Sequence, residues 1–595
     1  MHFRDRTLVV HVRYEYTTAT VCQARHHTRT TPPLLLRTHK LVRVESEECE
    51  CEDTVPWPER PAHQDTPPRT DADATVPAAM APAKRAPINK YAFACALLAS
   101  MNSVLLGYDI SVMSGAQLFM KEDLKITDTQ IEILAGVINI YSLFGSLAAG
   151  VTSDWLGRRY TMVLAAAIFF TGALLMGLAP RYALLMVGRF VAGIGVGFAL
   201  MIAPVYTAEV APTSARGFLT SFPEVFNNFG ILLGYVSNFA FARLPVHLSW
   251  RAMFLVGAVP PVFLGVAVLA MPESPRWLVM RGRIDDARRV LQRTSDSHGE
   301  AEERLRDIKK VVGIPDDVSD ADDVAAIVRA SNKAASRSSD GGGVWKELLI
   351  NPSRPVRRML VAGLGLMFIQ QATGVDCVVM YSPRVFERAG IKSKTNSLGA
   401  SMAVGACKTF FIPISTLLLD RIGRRPLLLA SGGGMAIFLF TLATSLHMMD
   451  RRPEGEQVAL GAVSIAAMLS FVASFASGLG PVAWVYCSEI YPLRLRAQAA
   501  AIGTGLNRIM SGATTMSFLS LSNAITIAGS FYLYACIAAA GWVFMYLFLP
   551  ETMGKSLEDT AKLFGKDAED EDAAPAAGGR RERSKPFAEL GDVQH

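Results

Sequence analysis

Residues 154–159 read Asp154-Trp155-Leu156-Gly157-Arg158-Arg159, and residues 420–425 read Asp420-Arg421-Ile422-Gly423-Arg424-Arg425. Each hexapeptide follows a long apolar run, and each is followed by another. Two further pairs keep the same order. Ala208-Glu209-Val210-Ala211-Pro212 is matched by Ser488-Glu489-Ile490-Tyr491-Pro492, and Pro272-Glu273-Ser274 by Pro550-Glu551-Thr552. The offsets are 266, 280 and 278 residues. Three motifs repeated in order at nearly one offset mean that the chain is built from two related halves.

The runs between the motifs set the class. The chain has 595 residues, 51% of them hydrophobic and 19% charged. A soluble chain carries about 25% charged residues spread over its surface. Here they cluster and leave twelve stretches near the ~20 residues that a bilayer requires. The stretches are 91–113, 131–151, 160–178, 182–207, 218–240, 251–271, 358–380, 398–419, 426–446, 458–487, 498–520 and 526–549. The expected fold is an all-α membrane protein of twelve transmembrane helices in two pseudo-symmetric six-helix bundles. Pro204, Pro260-Pro261 and Pro481 fall inside spans and predict kinks. Basic residues mark the cytosolic side. With the N-terminus inside, Lys84–Lys90, Arg158-Arg159, Arg216, Arg276–Arg283, Arg421–Arg425 and Arg494–Arg496 all fall on that side. Both termini are then expected to be cytosolic.

The expected organisation is an N-terminal bundle over 88–272, a cytosolic helical linker over 273–357, a C-terminal bundle over 358–552 and a cytosolic tail over 553–595. In the linker, IDDARRVLQRT and EAEERLRDIKKVV carry mixed-sign charges at helical spacing. Residues 1–79 lack apolar periodicity and read as disordered. They are either an Arg-rich, acid-poor transit segment or an upstream extension before a start at Met80. The net charge of +6 is too small to suggest a nucleic-acid partner. Of eight cysteines, Cys95, Cys377, Cys407, Cys487 and Cys536 lie in or beside apolar runs, and Cys49 and Cys51 lack a second metal-binding pair. No metal, cofactor, phosphate loop or nucleophile motif is expected, so an enzyme is not.

The chemistry sits where polar residues interrupt the spans. Asp109 lies in the first, a placement that costs several kcal/mol unless the acid meets a partner or a wet cavity. Arg189, in Gly188-Arg189-Phe190, is the expected partner. The pair either couples a proton to a rocking motion or is a static ion pair that fixes packing. The fifth span carries Glu224, Asn227, Asn228 and Asn238; an aqueous or ligand-facing side and interhelical hydrogen bonding both account for the amides. In the seventh, Gln370, Gln371 and Asp376 cluster. Five residues apart, Gln371 and Asp376 miss a common face on a straight helix, and Gly374 offers the break that brings both to one cavity. Amide and carboxylate groups match hydroxyls, which points to a small neutral polyhydroxylated solute. Trp484 beside Pro481 is suited to stacking on a sugar face or to packing. Asn507-Arg508 is a second polar intrusion, with Glu224 or Asp376 as candidate partner of Arg508. Gly193 and Gly197 are expected to give close helix contact. Asp154, Arg158, Arg159, Glu209, Glu273 and their repeats Asp420, Arg424, Arg425, Glu489 and Glu551 are read as a charge latch on the cytosolic side, or else as headgroup anchors.

GYDISVMSGA, DWLGRR, GRFVAGIGVG, PESPRWL, QQATGVD, DRIGRR, GPVAWVYCSEIYP and PETMGKSL together resemble the sugar porter branch of the major facilitator superfamily, over about residues 88–560. NKYAFACALLASM, PEVFNNFGILLGYVSN, LNRIMSG and FLSLSNAIT make the chain most similar to plant polyol/monosaccharide proton symporters. The resemblance implies that Asp109 binds the proton with Arg189 as its partner, and that Gln370, Gln371, Trp484 and Asn507 meet sugar hydroxyls. Three positions depart from the general pattern: Asn228 for Gln, Asp376 for Asn and Arg508 for Trp. Those departures argue against simple hexose selectivity. The expected activity is proton-coupled symport of polyols and monosaccharides by alternating access, in a monomeric unit of the lipid bilayer, placed in the plasma membrane. The alternatives are a facilitative uniporter and a non-transporting sugar sensor.

Overall fold

A computed structural model describes residues 89–212, 215–312, 314, 348, 350, 352–452 and 457–553. The side chains of Arg216, Asp420, Leu493 and Arg494 lie outside that description, as do residues 1–79, most of the linker beyond 312 and the tail beyond 553. Every regular element among the described residues is a helix.

The first half begins with α1 (Lys90–Ser100) and α2 (Ser103–Asp123), one span interrupted at Met101-Asn102. It continues through α3 (Asp128–Leu156), α4 (Arg158–Gly177), α5 (Tyr182–Val210), the short α6 (Arg216–Thr220) and α7 (Phe222–Phe241). It ends in α8 (Val246–Val256) and α9 (Val259–Leu269), a span broken before Pro260-Pro261. Then come α10 (Pro275–Met280), which the sequence pattern does not predict, and α11 (Ile284–Thr294) and α12 (His298–Val312), which cover the two stretches that read as helical early in the linker. The second half has α13 (Arg354–Ala372), α14 (Val375–Arg388), α15 (Lys394–Ile422), α16 (Arg424–Met449), α17 (Gln457–Ser477), α18 (Leu479–Ile490) and α19 (Leu493–Phe548).

Ten helical runs among the described residues are long and apolar enough to cross a membrane. The long run Leu495–Phe548 holds two spans, since Thr526 has φ 71 and ψ 160 and breaks the helix. Helix α7 is also of spanning length, but Glu224 and three asparagines dilute its apolarity. With these the spans number twelve, six to a half. Outward faces are apolar: Phe144 is 58% exposed, Val266 68% and Leu547 66%, as the lipid-facing surface of a bundle must be.

Where prolines and glycines break the helices, neighbouring side chains take up the freed groups. Pro481 has no N–H for the carbonyl of Ser477, and Ser415 Oγ donates to it at 2.8 Å. Pro383, inside α14, likewise frees the carbonyl of Val379, which accepts from Tyr235 Oη at 2.6 Å. Tyr235 belongs to α7, so a proline in one half creates an acceptor for the other. Gly374 has φ +77 and ψ 22, a left-handed conformation open to glycine, and it turns α13 into α14.

Besides the Tyr235 contact, a group of polar contacts between the halves gathers at one end. Gln117 Nε2 donates to Met380 O at 3.0 Å, Arg384 pairs with Asp128 at 3.4 Å, and Lys394 pairs with Glu122. Glu132 in α3 accepts from the backbone N–H of Ser520 in α19 at 2.7 Å and from its hydroxyl. This is the end opposite the two Gly-Arg-Arg loops, which follow α3 and α15 at their far termini.

Candidate functional site

Asp109 and Arg189 meet inside the first half. Arg189 Nη1 lies 2.8 Å from both carboxylate oxygens, and both side chains are almost wholly buried. Arg189 Nε also donates to Leu134 O at 2.9 Å, so one guanidinium ties α2, α3 and α5 together. Close approach makes this possible: a Cβ on Gly197 would fall 2.2 Å from Ser142 O, bringing α5 onto α3. A Cβ on Gly193 would likewise fall 2.7 Å from Tyr141 Cβ.

The second cluster lies between the halves. Gln370, at the end of α13, donates to Leu479 O at 3.1 Å and Gly480 O at 2.7 Å, across the break between α17 and α18. Its Oε1 accepts from Asn507 Nδ2 at 2.7 Å. Gln371 Nε2 donates to Asn507 Oδ1 at 3.3 Å, and Arg508 Nη2 to the same oxygen at 3.1 Å. Asp376, swung round by the turn at Gly374, accepts from Ser511 Oγ. From the first half, Glu224 accepts from Asn228 Nδ2 at 2.9 Å, and Asn228 O accepts from Thr409 Oγ1 of α15 at 3.0 Å. Arg508 interacts electrostatically with Asp376 and Glu224 without ion-pair contact to either; its hydrogen bond goes to Asn507. Trp484 stands apart from this network. It is half-buried beside Met367 and Tyr491, where a small cavity of about 50 Å³ opens, and Met367 O accepts from Asn507 Nδ2 at 3.2 Å.

Two residues that the sequence reading passed over belong to this picture. Lys408, at the middle of α15, is 6% exposed and faces both Asp376 and Glu224 electrostatically, with its ammonium 5.5 Å from the centre of the Phe475 ring. Glu132 is the buried carboxylate that bridges the halves. Both are lone charges in apolar runs, the same signal that marks Asp109.

The repeated loops have one geometry twice. Gly157 has φ 98 and ψ 165, and Gly423 has φ 99 and ψ 164. A Cβ on either would lie 2.5 Å from Glu273 Oε2 or 3.0 Å from Glu551 Oε2. The glutamates sit under the turns and accept backbone N–H groups: Arg158 and Arg159 on Glu273, Arg424 and Arg425 on Glu551. Arg158 pairs with Glu209 at 3.1 Å and with Asp154 at 3.1 Å, and Arg424 pairs with Glu489 at 2.8 Å. The Arg159 side chain reaches Leu269 O, and that of Arg425 reaches Tyr546 O at 2.8 Å, so neither guanidinium pairs with the glutamates expected for it. These pairs join helices within one half. Asp420, expected in the second latch, has its side chain outside the description. Burial lifts the Glu273 carboxyl above its ordinary value despite its N–H donors. At Glu551 burial works the same way, but the N–H groups of Met553, Arg424, Arg425 and Thr552 prevail and hold it below.

With this geometry in hand, the kinship of the chain is plain. The family model described as "Sugar (and other) transporter" matches residues 95–564. Polyol transporter 5 of Arabidopsis thaliana is 57% identical over 517 residues, covering 87% of this chain and 94% of that one. Among solved structures, the proton:xylose symporter XylE bound to 6-bromo-6-deoxy-D-glucose superposes with a TM-score of 0.63 at 27% identity, over 80% of this chain and 99% of that one. The inward-open conformation of XylE from E. coli gives 0.64 at 26%, over 80% and 100%. Two halves of six spans, a buried acid–guanidinium pair in one and an amide cluster at their junction are thus the setting of a membrane transporter, and the chain belongs to the sugar (and other) transporter family.

Proposed function

We propose that the protein is a proton-coupled symporter of polyols, and of some monosaccharides, working by alternating access. The observation that carries this reading is the Asp109–Arg189 pair. A carboxylate sealed from water and ion-paired in lipid is costly, and replacing such a pair by apolar packing is often neutral or stabilising. Its retention fits a group with two protonation states. Protonation of Asp109 releases Arg189 from a full countercharge, which changes how α2, α3 and α5 pack, and proton and solute are thereby linked. The relatives' names point the same way: one is called a polyol transporter and the other a proton:xylose symporter.

In this reading Gln370, Gln371, Asp376 and Asn507 from the second half, with Glu224 and Asn228 from the first, bind solute hydroxyls, and Trp484 closes the site beside Met367. Solute held at the junction of two bundles meets either side as the bundles rock. The halves are 88–272 and 358–552, joined by 273–357. The Gly-Arg-Arg loops face the cytosol, as do both termini, and the membrane is the plasma membrane. The gathered contacts at the opposite end then make this the conformation closed to the outside. The latch residues Asp154, Arg158, Arg159, Glu209 and Glu273, with Asp420, Arg424, Arg425, Glu489 and Glu551, brace each bundle at its inner end.

Uptake of labelled sorbitol, mannitol, inositol, xylose and glucose into transporter-deficient cells tests the proposal, with and without a protonophore. Accumulation of a polyol above equilibrium, abolished by the protonophore and by Asp109→Asn, is expected. Uptake that only equilibrates, with no proton movement, identifies a uniporter. Solute binding without uptake identifies a sensor.

A further inference from the structure

Lys408 and Arg508 are two buried cations in the membrane interior without an ion-pair partner in contact. They face Asp376 and Glu224 electrostatically, yet each acid spends its close contact elsewhere, Asp376 on Ser511 and Glu224 on Asn228. Four charges that sum to zero are thus held near one another but not collapsed together. What is left unspent is specific. Arg508 Nε is a buried donor without an acceptor, and Lys408 shows a ring contact with Phe475 and no hydrogen bond among the described residues. On the other side of the ledger, Gln371 Oε1, Asn227 Oδ1 and Asn228 Oδ1 are buried acceptors without a donor. Buried polar atoms left unsatisfied are costly, so this set is suited to a ligand that completes it.

We infer that Lys408 and Arg508 are the charged donors that grip substrate hydroxyl oxygens, while the unspent amide oxygens take the hydroxyl protons, so that the site selects for uninterrupted runs of hydroxyl groups. A hydroxyl gives one proton and accepts on its oxygen, which fits a lining of cationic donors and neutral acceptors. Hydrogen bonds from an ionised donor are about twice as strong as neutral ones, so each such hydroxyl matters more to binding than an amide alone would make it. A negatively charged solute gains little, because Asp376 and Glu224 already balance the two cations. Asp376 and Glu224, besides meeting hydroxyls, supply the countercharge beside Lys408 and Arg508. The inference rests on the substrate cluster proposed above and adds two residues to it.

The test is a cycle between protein and ligand. Competition against labelled sorbitol uptake is measured with each mono-deoxy analogue of sorbitol, for the wild type, Lys408→Met and Arg508→Gln. In the wild type at least one analogue is expected to bind roughly 10- to 100-fold more weakly than sorbitol, the range for a lost charged hydrogen bond. In Lys408→Met that ratio is expected to fall to near one at the hydroxyl Lys408 holds, and in Arg508→Gln at a different hydroxyl. A general packing defect weakens sorbitol and analogues alike and leaves the ratios standing. Ratios unchanged in both variants overturn the inference while leaving symport intact. Should either variant fail to reach the membrane, Lys408→Arg and Arg508→Lys keep the charge and alter its reach. They are expected to reorder the analogue series, and an unaltered series overturns the inference equally. Wild-type protein that takes up no polyol overturns the function proposed above, and this inference with it.

Discussion

Arg189 is held by more than its acid. Its Nε donates to a backbone carbonyl while Nη1 grips both oxygens of Asp109, all within a nearly water-free pocket. Removing one member leaves the other charge buried and unpaired, a loss of about 3–5 kcal/mol, whereas removing both often restores stability. We therefore expect Asp109→Leu to lower the melting temperature of the detergent-solubilised protein sharply, and Asp109→Leu with Arg189→Leu to recover most of it. The double variant is expected to lose uphill uptake all the same. A double variant that still concentrates solute under a pH gradient would reduce the pair to packing. At this scale the sequence is a good guide, because a charge in lipid announces itself. Asp109, Arg189, Glu224, Asp376 and Arg508 are visible as interruptions of apolar runs. Lys408 and Glu132 give the same signal, but neither falls within a recognisable motif. The sequence also offers Arg189 for Asp109, and the fold pairs them; what it conceals is the partner of Arg508. Arg508 has two acids as candidates by composition, and in the fold its hydrogen bond goes to the adjacent Asn507.

At the level of the helix and turn, the repeated loops show why Gly-Arg-Arg recurs. The glycine supplies both a positive φ and the space into which a glutamate carboxylate tucks. A Cβ has neither a permitted conformation nor room there, so Gly157→Ala and Gly423→Ala are each expected to destabilise by about 1–3 kcal/mol, a range typical of strained backbone positions. Thermal unfolding of each variant measures it, and a stability within about 0.5 kcal/mol of wild type, the range of ordinary surface substitutions, would count against the tucked arrangement. The two turns also differ electrostatically. A carboxyl held above its ordinary value takes up its proton while the pH is still comparatively high, and one held below keeps its charge further into acid. Falling pH thus neutralises Glu273 before Glu551, and a neutral carboxyl is the weaker acceptor. Hydrogen exchange, corrected for intrinsic rates, is expected to show the amides of Arg158 and Arg159 losing protection at a higher pH than those of Arg424 and Arg425. The motif repeat in the sequence reveals that two equivalent turns exist. It does not reveal that the amides, rather than the second guanidinium of each motif, do the holding, since that depends on how closely a side chain more than a hundred residues away in sequence approaches the turn. Helix breaks divide in the same way. Gly374 was readable as one, while Thr526 was not, because a β-branched residue is a poor candidate for positive φ.

Alternating access is a property of the two halves together, and its barrier lies in whatever must be parted when the closed end opens. Glu132 is the clearest such contact: both of its donors belong to Ser520, across the junction, and it is buried. Opening this end strips a carboxylate of two charge-assisted hydrogen bonds, each worth about 1.5–3 kcal/mol when the acceptor is charged. Water entering from outside repays part of that, so the contact sets how often the end opens, not whether it can. Lys394–Glu122 and Arg384–Asp128 add ion pairs nearer the rim, where exposure leaves each worth about 1 kcal/mol or less. Buried and exposed contacts therefore make separable predictions. Glu132→Gln weakens the Ser520 contact without removing it, and it is expected to raise the open population by about tenfold, one charged-to-neutral hydrogen-bond step in affinity terms. The readout is labelling of a cysteine placed at Gln117 by an impermeant maleimide added from outside, which should quicken in Glu132→Gln and change little when Lys394 alone is replaced by Gln. The same geometry can be locked. With Glu122→Cys and Lys394→Cys on opposite halves, a short bis-maleimide spans the positions that the ion pair joins, and the linked protein is expected to stop transporting while still binding solute from the other side. Transport persisting through that link would mean that the halves do not part at this end, and the rocking of one bundle against the other would have to be abandoned as the carrier of the solute.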